Sequence, residues 1–332
     1  MRIGILSFAH HHAEAYIGNL RAIPGVEMIG ISDEDQARGK RFAEQFDAVL
    51  YPSYEALLAE KPDGVLVCSE NLHHRRLVEM AAKAGVHVLS EKPLATSLAD
   101  AQAMLDVCSA AGVILMTAFP MRFSAPLLEI KATLDSGGLG RIFGCNTTNQ
   151  GQMPRHHGEW FVDKELAGGG AAMDHTVHLT DILRWYLGCE VVEVYAQTNH
   201  IFHRNTVDVE TGGLIMLTFE DGTFASIDCS WSRPQRYPTW GGLKMQLIGE
   251  RGVVDVDPFR QNLTLYGQPG QHTAWSFWGS DMNQAMVEEF VSAVRESRQA
   301  AVTGYDGYKA LEVALAVYAS AETGQPVTLP LK

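Results

Sequence analysis

Apolar residues come in short bursts along the first third of the chain. Runs at 3–8, 26–32, 49–50, 64–68, 86–90 and 113–117 are brief and continuous, the pattern of strands buried on both faces. Between them lie stretches of helical character. Residues 12–22 end at Pro24-Gly25, and 35–46 are of mixed polarity. Residues 53–60 open with Ser53 as a cap, 72–84 stop at Gly85, and 97–111 stop at Gly112. Six strands alternating with helices predict two mononucleotide-binding halves in a doubly wound parallel sheet. After residue 120 the texture changes. Helices are expected at 127–134, ended by Ser136-Gly137-Gly138, and at 174–187. Alternating runs then follow at 191–198, 214–219, 223–230, 243–248, 253–256 and 263–266, with Glu220-Asp221-Gly222 as a hairpin turn. Helices near 283–298 and 307–322 close the chain. This predicts an α/β protein. A dinucleotide-binding domain spans 1–120, and an α+β domain with a large, mostly antiparallel open sheet spans 121–332. The last helix is expected to pack back on the first domain. One free sheet face points to oligomerisation through it.

Composition narrows the partners. With 46% hydrophobic residues in 332, the chain has material for two cores, but no apolar run approaches the ~18 residues of a membrane span. The apolar stretch at 3–9 is broken by Gly4 and Ser7 and lacks a cleavage pattern, so it reads as a strand and not a signal peptide. A net charge of −13 disfavours nucleic acid and anionic membranes and leaves small molecules and other proteins. The cysteines, Cys68, Cys108, Cys145, Cys189 and Cys229, are odd in number and scattered, without a C-x-x-C pair. A reducing cytoplasm is the expected home, with the thiols buried.

Three places carry chemistry. The turn after the first strand reads Ser7-Phe8-Ala9-His10-His11-His12. A dinucleotide site wants G-x-G-x-x-G there, so that backbone amides approach the diphosphate at a helix start. Ser7 and Ala9 are small enough for a close approach, while the third position carries His12. Asp33 ends the second strand 21 residues past His12, where an acidic group meets a ribose diol. A carboxylate there favours NAD over NADP by repelling a 2′-phosphate; the plain alternative is a helix cap. The three histidines suggest imidazole ligation. Consecutive side chains point apart on a strand or helix, however, so no metal site is expected. A stacking or polar place beside a cofactor suits His10 and His12, with ordinary surface histidines as the alternative.

The second place is Ser90-Glu91-Lys92-Pro93, at the carboxyl end of the fifth strand, where open α/β sheets bind ligands. Lys92 can donate to a hydroxyl there; taken alone it is equally a solvated loop lysine. The third is Gly168-Gly169-Gly170 and the helix after it. Asp174 and His178 are spaced i, i+4 and share a face, with Asp181 three residues further on. His175 falls beside Leu179, Ile182 and Tyr186 on the apolar stripe and reads as a packed, hydrogen-bonded residue. An Asp beside a His suits general acid/base chemistry, and a surface pair is the alternative. Arg155, His156, His157, Trp160, Tyr237 and Trp240 lie in segments able to line a pocket, or simply to pack.

Order and spacing together resemble the Gfo/Idh/MocA family (glucose–fructose oxidoreductase, inositol dehydrogenase and relatives). The likeness covers essentially the whole chain. It rests on residues 3–6, Asp33, Asn71, His74, Glu91-Lys92-Pro93, Arg122-Phe123, 137–140, 168–187, 320–324 and 327–330. The resemblance implies an N-terminal Rossmann domain, a C-terminal open sheet that forms a homodimer or homotetramer, and reversible oxidation of a secondary alcohol on a sugar, cyclitol or related polyol. It implies Lys92, Asp174 and His178 as catalytic residues, with His178 taking the hydroxyl proton. The cofactor, NAD ahead of NADP, is expected along Ser7, Phe8, Ala9, His10, His12, Asp33, Ser69, Asn71, His74, Glu91, Lys92 and Arg122. The substrate is expected against Lys92, His157, Trp160, Asp174, His175 and His178. Two departures stand out: the glycine turn is replaced, and Thr176 stands where the family often has glycine, which points to a changed pocket. Two other uses of the scaffold stay open: net-neutral use of a retained NAD, as in glycoside hydrolysis or epimerisation, and non-catalytic sugar sensing.

Overall fold

The computed structural model describes residues 1–266 and 273–331. The chain divides into two compact units. The first takes Met1–Pro120 together with Glu165–Gly168 and Asn283–Leu311. Its strands are β1 (Arg2–Leu6), β2 (Glu27–Ser32), β3 (Leu50–Tyr51), β4 (Gly64–Val67), β5 (His87–Ser90) and β6 (Leu115–Thr117). They form one all-parallel sheet in the order β3-β2-β1-β4-β5-β6. The helices between them are α1 (His12–Ala22), α2 (Gln36–Phe46), α3 (Tyr54–Ala59), α4 (His74–Lys83) and α5 (Leu98–Ala111). Both faces of the central strands are closed to water: Ile3, Ile5, Leu6, Val65, Leu66 and Val67 are fully buried. Strand order reverses between β1 and β4, so the loops after them part and leave a crevice at the carboxyl ends. Side-chain caps fix the helix starts: Asp35 accepts from the amides of Ala37 and Arg38, Ser53 from Ala56, and Ser97 from Asp100.

The second unit comprises Met121–Lys164, Gly169–Met282 and Glu312–Lys332. It opens with α6 (Ala125–Asp135) and β7 (Ile142–Gln150); a short α7 (Lys164–Ala167), most of which belongs to the first unit, then leads to α8 (Ala171–Leu187). Next come β8 (Val191–Asn199), β9 (Gly212–Phe219), β10 (Phe224–Ser230), β11 (Leu243–Gly249) and β12 (Gly252–Val256). A separate ribbon of β13 (Asn262–Leu265) and β14 (Ala274–Phe277) follows. The chain ends with α9 (Met282–Glu296), α10 (Gly304–Thr323) and β15 (Val327–Thr328). The large sheet has seven strands in the order β12-β11-β7-β10-β9-β8-β15, antiparallel except for β7 beside β10. Leu179, Ile182, Leu183 and Tyr186 of α8 join the core formed by the sheet's inner face, with Val194, Ile215, Leu217, Ile227 and Leu247.

Two features differ from the sequence reading. β7 carries no apolar alternation, because its inward positions include Gly144, Thr147 and Asn149, and so it escapes a pattern search. Residues 283–311, read as part of the second domain, belong to the first unit. Gly64 is why α9 fits there: a β-carbon on it would lie 3.0 Å from the Phe290 ring and 3.1 Å from Ile3. Among the described residues no helix is long and apolar enough to cross a membrane. All five cysteines are free thiols, and only Cys189 is partly exposed.

Candidate functional site

In the first unit the sequence-predicted residues gather at the carboxyl end of the parallel sheet. Ser7 takes a left-handed backbone, φ 69°, directly after β1. This is the conformation a glycine would hold at little cost. The Phe8 amide donates to Asp33 Oδ2 at 2.8 Å, and the Ala9 amide to Ser7 Oγ at 3.2 Å. Asp33 is buried, and its other donors are the Asp35 amide (2.9 Å) and Arg38, through Nε (2.8 Å) and Nη2 (2.9 Å). Arg38 thus grips both carboxylate oxygens in a bidentate pair. The bare negative charge expected at Asp33 is offset by a cation that the sequence reading missed. Its signal was Arg38 itself, five residues on, in the first turn of α2. Beside this pair lies a cavity of about 290 Å³ lined by Arg38, Tyr54, Ser69, Glu70, His73 and Arg76, among others.

Around the start of α1 the three histidines do not diverge. One nitrogen from each of His10, His11 and His12 lies within 4.8 Å of the others, which overturns the expectation that consecutive imidazoles point apart. The segment belongs to neither a regular strand nor a helix interior, so the alternation that separates neighbours does not apply. Glu91 is buried under them. Its Oε1 lies 3.0 Å from His12 Nδ1 and accepts from the Tyr16 hydroxyl at 2.6 Å; its Oε2 accepts from the Lys92 amide at 3.2 Å. Burial pushes the Glu91 carboxyl up, but His12, Tyr16 and Lys92 outweigh it and hold the group below the usual carboxylate range.

Lys92 is buried at the head of the loop after β5, and Ser69 is buried after β4. Asn71 donates to the Ala167 carbonyl at 2.8 Å. His74, read as a cofactor contact, is fully enclosed. Its ring nitrogens face the carbonyls of Pro93 (3.0 Å), Leu94 (3.3 Å) and Ser69 (3.3 Å), so it braces the two loops that carry Ser69 and Lys92. Burial lowers His74 below the ordinary histidine range, against Glu91 and the three carbonyls, which favour its charged form.

In the second unit, α8 carries the other candidates. A carboxylate from far along the chain caps it: Glu210 Oε1 accepts from the amides of Gly170 (2.9 Å) and Ala172 (3.0 Å) and from the Tyr318 hydroxyl (2.8 Å). Gly170 has to be glycine, since a β-carbon would strike the Glu210 carbonyl oxygen. Asp174 Oδ2 lies 3.1 Å from His175 Nε2, and His175 Nδ1 lies 2.6 Å from the Asn149 carbonyl. A ring nitrogen facing a carbonyl must donate. His178 stands one turn after Asp174 on α8, partly exposed. Asp181 departs from the face reading. It is fully buried and bound bidentately by Arg122, with Nε to Oδ2 at 2.8 Å and Nη2 to Oδ1 at 2.5 Å. The Arg122 guanidinium, read as a cofactor contact, is therefore committed to holding α8. Trp160 is buried and stacked on Phe161 at 3.9 Å, while the His157 ring meets Trp240 edge-on at 5.0 Å.

Two buried polar atoms at the carboxyl end of the parallel sheet, Ser32 Oγ and Asn71 Oδ1, find no hydrogen-bond partner among the described residues. Buried acceptors left in this way mark a cleft that a polar ligand completes. The residues present suit a dinucleotide, apart from the missing glycines. Comparison with known proteins agrees. Residues 2–119 match the family model for an oxidoreductase family with an NAD-binding Rossmann fold, and 127–255 match the GFO/IDH/MocA C-terminal domain. D-xylose 1-dehydrogenase (NADP(+)) 2 of Haloferax volcanii is 32% identical over 340 residues, covering 99% of this chain and 100% of that protein. The chain belongs to the Gfo/Idh/MocA family of oxidoreductases. Another relative in this family, myo-inositol 2-dehydrogenase of Thermotoga maritima, is 29% identical over 344 residues, covering 99% of this chain and 98% of that protein. The crystal structure of GenD2 from gentamicin A biosynthesis, in complex with NAD, shares the fold. It has a TM-score of 0.90 at 24% identity, covering 100% of this chain and 97% of that one.

Proposed function

We propose that this Gfo/Idh/MocA protein is a nicotinamide-dependent dehydrogenase for a secondary alcohol of a sugar, cyclitol or related polyol. The observation that carries the reading is Asp174 and His178 one turn apart on a rigidly capped helix, in a family with sugar and cyclitol dehydrogenases among its named members. The nicotinamide, when bound, supplies the hydride acceptor. The chain's own residues do the rest. His178 takes the hydroxyl proton as the C–H bond is broken. Asp174, in contact with His175, sets the charge beside it. Lys92 donates to the substrate oxygen. The dinucleotide lies along Ser7, Phe8, Ala9, His10 and His12, with its adenosine ribose towards Asp33 and Arg38 and with Ser69, Asn71 and Glu91 along its length. His74 and Arg122 position these groups without touching the ligand. His157 and Trp160 border the substrate side.

The test is fluorescence titration of the purified protein with NADH and NADPH, followed by a screen of sugars and polyols for cofactor reduction. Binding with turnover of at least one polyol or sugar is expected. No dinucleotide binding, with none retained after purification, would remove the reading.

A further inference from the structure

Position 12, where a dinucleotide turn would carry its third glycine, holds a side chain that reaches the loop after another strand. His12 opens α1 and Tyr16 follows four residues on, so the two share a helix face. Both end on one oxygen of Glu91, in the loop after β5. Glu91 Oε1 lies 3.0 Å from His12 Nδ1 and 2.6 Å from the Tyr16 hydroxyl. An ionised carboxylate only accepts, so both groups donate to it. Glu91 Oε2 folds back on its own chain and accepts from the Lys92 amide at 3.2 Å. His10 completes the enclosure. Its backbone amide donates to the Cys68 carbonyl just past β4 (2.9 Å), its Nδ1 accepts from the His12 amide (3.3 Å), and its Nε2 lies 3.9 Å from Glu91 Oε2.

Tyr16, Glu91 and Lys92 are all buried. For stability alone, a buried carboxylate has no general advantage over an apolar side chain of its size. Its use here lies in direction. Two donors from α1 fix one oxygen, which leaves the other aimed at the Lys92 backbone. Burial, then the negative Glu91, push the Tyr16 hydroxyl far above its ordinary range, so it stays a proton donor. Burial opposes the charge on Glu91, while His12, Tyr16 and Lys92 favour it. Carboxylate and lysine therefore act on each other through charge as well as through the backbone.

We propose that Tyr16 and His12 are positioning residues for Lys92, acting through the Glu91 carboxylate. The role in catalysis rests on the reading of Lys92 as the donor to the substrate oxygen. One face of the first turns of α1 then ties the turn after β1 to the loop that carries the lysine. A glycine at position 12 would remove one of the two donors on Glu91 Oε1 and leave that oxygen to Tyr16. Misplacing a reacting group by about 1 Å costs on the order of 100-fold in rate. A carboxylate held from both sides guards against that displacement at Lys92.

The experiment uses the full-length protein labelled with carbon-13 at the lysine Cε, without added cofactor. The proton–carbon spectrum resolves the lysines, and Lys92→Arg identifies the Lys92 signal by its loss. Tyr16→Phe is expected to move that signal and leave the other lysines in place. An unmoved Lys92 signal, or a shift spread over all the lysines, overturns the proposal. Should Tyr16→Phe fail to fold, Glu91→Gln takes its place in the spectrum. Kinetics supply a second reading. With a sugar or polyol that the wild type oxidises, Tyr16→Phe should lower kcat about tenfold or more while the Kd for NADH stays within about threefold. Unchanged kcat, or parallel loss of kcat and NADH affinity, overturns the positioning role. A wild type that neither binds NADH nor turns over sinks the dehydrogenase reading alone, and the lysine spectrum then decides. Turnover by the wild type with an unmoved Lys92 signal in Tyr16→Phe sinks only the positioning role.

Discussion

Asp33 accepts from the Phe8 and Asp35 amides, and Arg38 takes both of its oxygens. The pair itself carries no net charge, Arg38 also faces Glu70 at 3.6 Å, and on the proposed dinucleotide reading this arginine is placed to partner a 2′-phosphate. NADPH is therefore expected to bind alongside NADH. Arg38→Ala, which bares the carboxylate, should weaken NADPH about tenfold or more, ~1.4 kcal/mol, and NADH less. Equal loss for the two cofactors would show that Arg38 does not read the phosphate. At the other candidate centre, His178→Asn should abolish turnover and leave NADH binding near wild type, because the substitution removes a proton acceptor and little volume. Stopped-flow rates beside a binding titration decide: unchanged turnover would take His178 out of the mechanism.

Helix α8 is held at both ends by residues distant in sequence. Arg122 and Asp181 form a buried bidentate pair, and breaking such a pair from one side costs about 3–5 kcal/mol. Asp181→Asn should lose roughly that much in urea unfolding; a loss under about 1 kcal/mol would mean the pair is replaceable. At the amino end, burial raises Glu210 above the usual carboxylate range, against the hydrogen bonds from Tyr318 and the Ala172 amide. A carboxyl raised on folding stabilises the protein below its unfolded pKa, and that contribution is lost as pH rises through the folded value. Glu210→Gln should therefore gain on the wild type in melting temperature as pH rises from about 4 towards 7. A pH-independent difference would contradict this. These contacts also mark where sequence reading stops. The alternation of β1 to β6 with α1 to α5 was legible because each strand is apolar on both faces and each helix carries its own cap or stop. The residues Asp33, Lys92, Asp174 and His178 were legible from their places at strand ends and on one helix face. Glu210, Asn149 and Tyr16 were not, since each acts on a site formed by residues elsewhere in the chain. β7 was hidden because polar side chains face its core side.

The outer face of the seven-stranded sheet exposes Tyr195, Leu214, Met216, Phe224 and Ile248. Apolar side chains grouped on one sheet face are the mark of an association surface. The protein should run in light scattering as a multiple of its 36.4 kDa chain, and Met216→Glu with Phe224→Glu should reduce it to one chain. A wild type already at that mass would rule the surface out. The way the units draw on the chain has a consequence for biosynthesis. β7 waits for β10, whose Ser226 carbonyl meets Thr147 79 residues later. The six-stranded sheet waits longer still, because Phe290 on α9 covers Gly64 and Ile3. A ribosome that has released every strand of both large sheets except β15 still carries two unfinished cores. A chain cut near 282 would lack residues 283–311 of the first unit, with Phe290 gone from over Gly64 and Ile3, and is expected to be a poor folder as a dinucleotide-binding fragment.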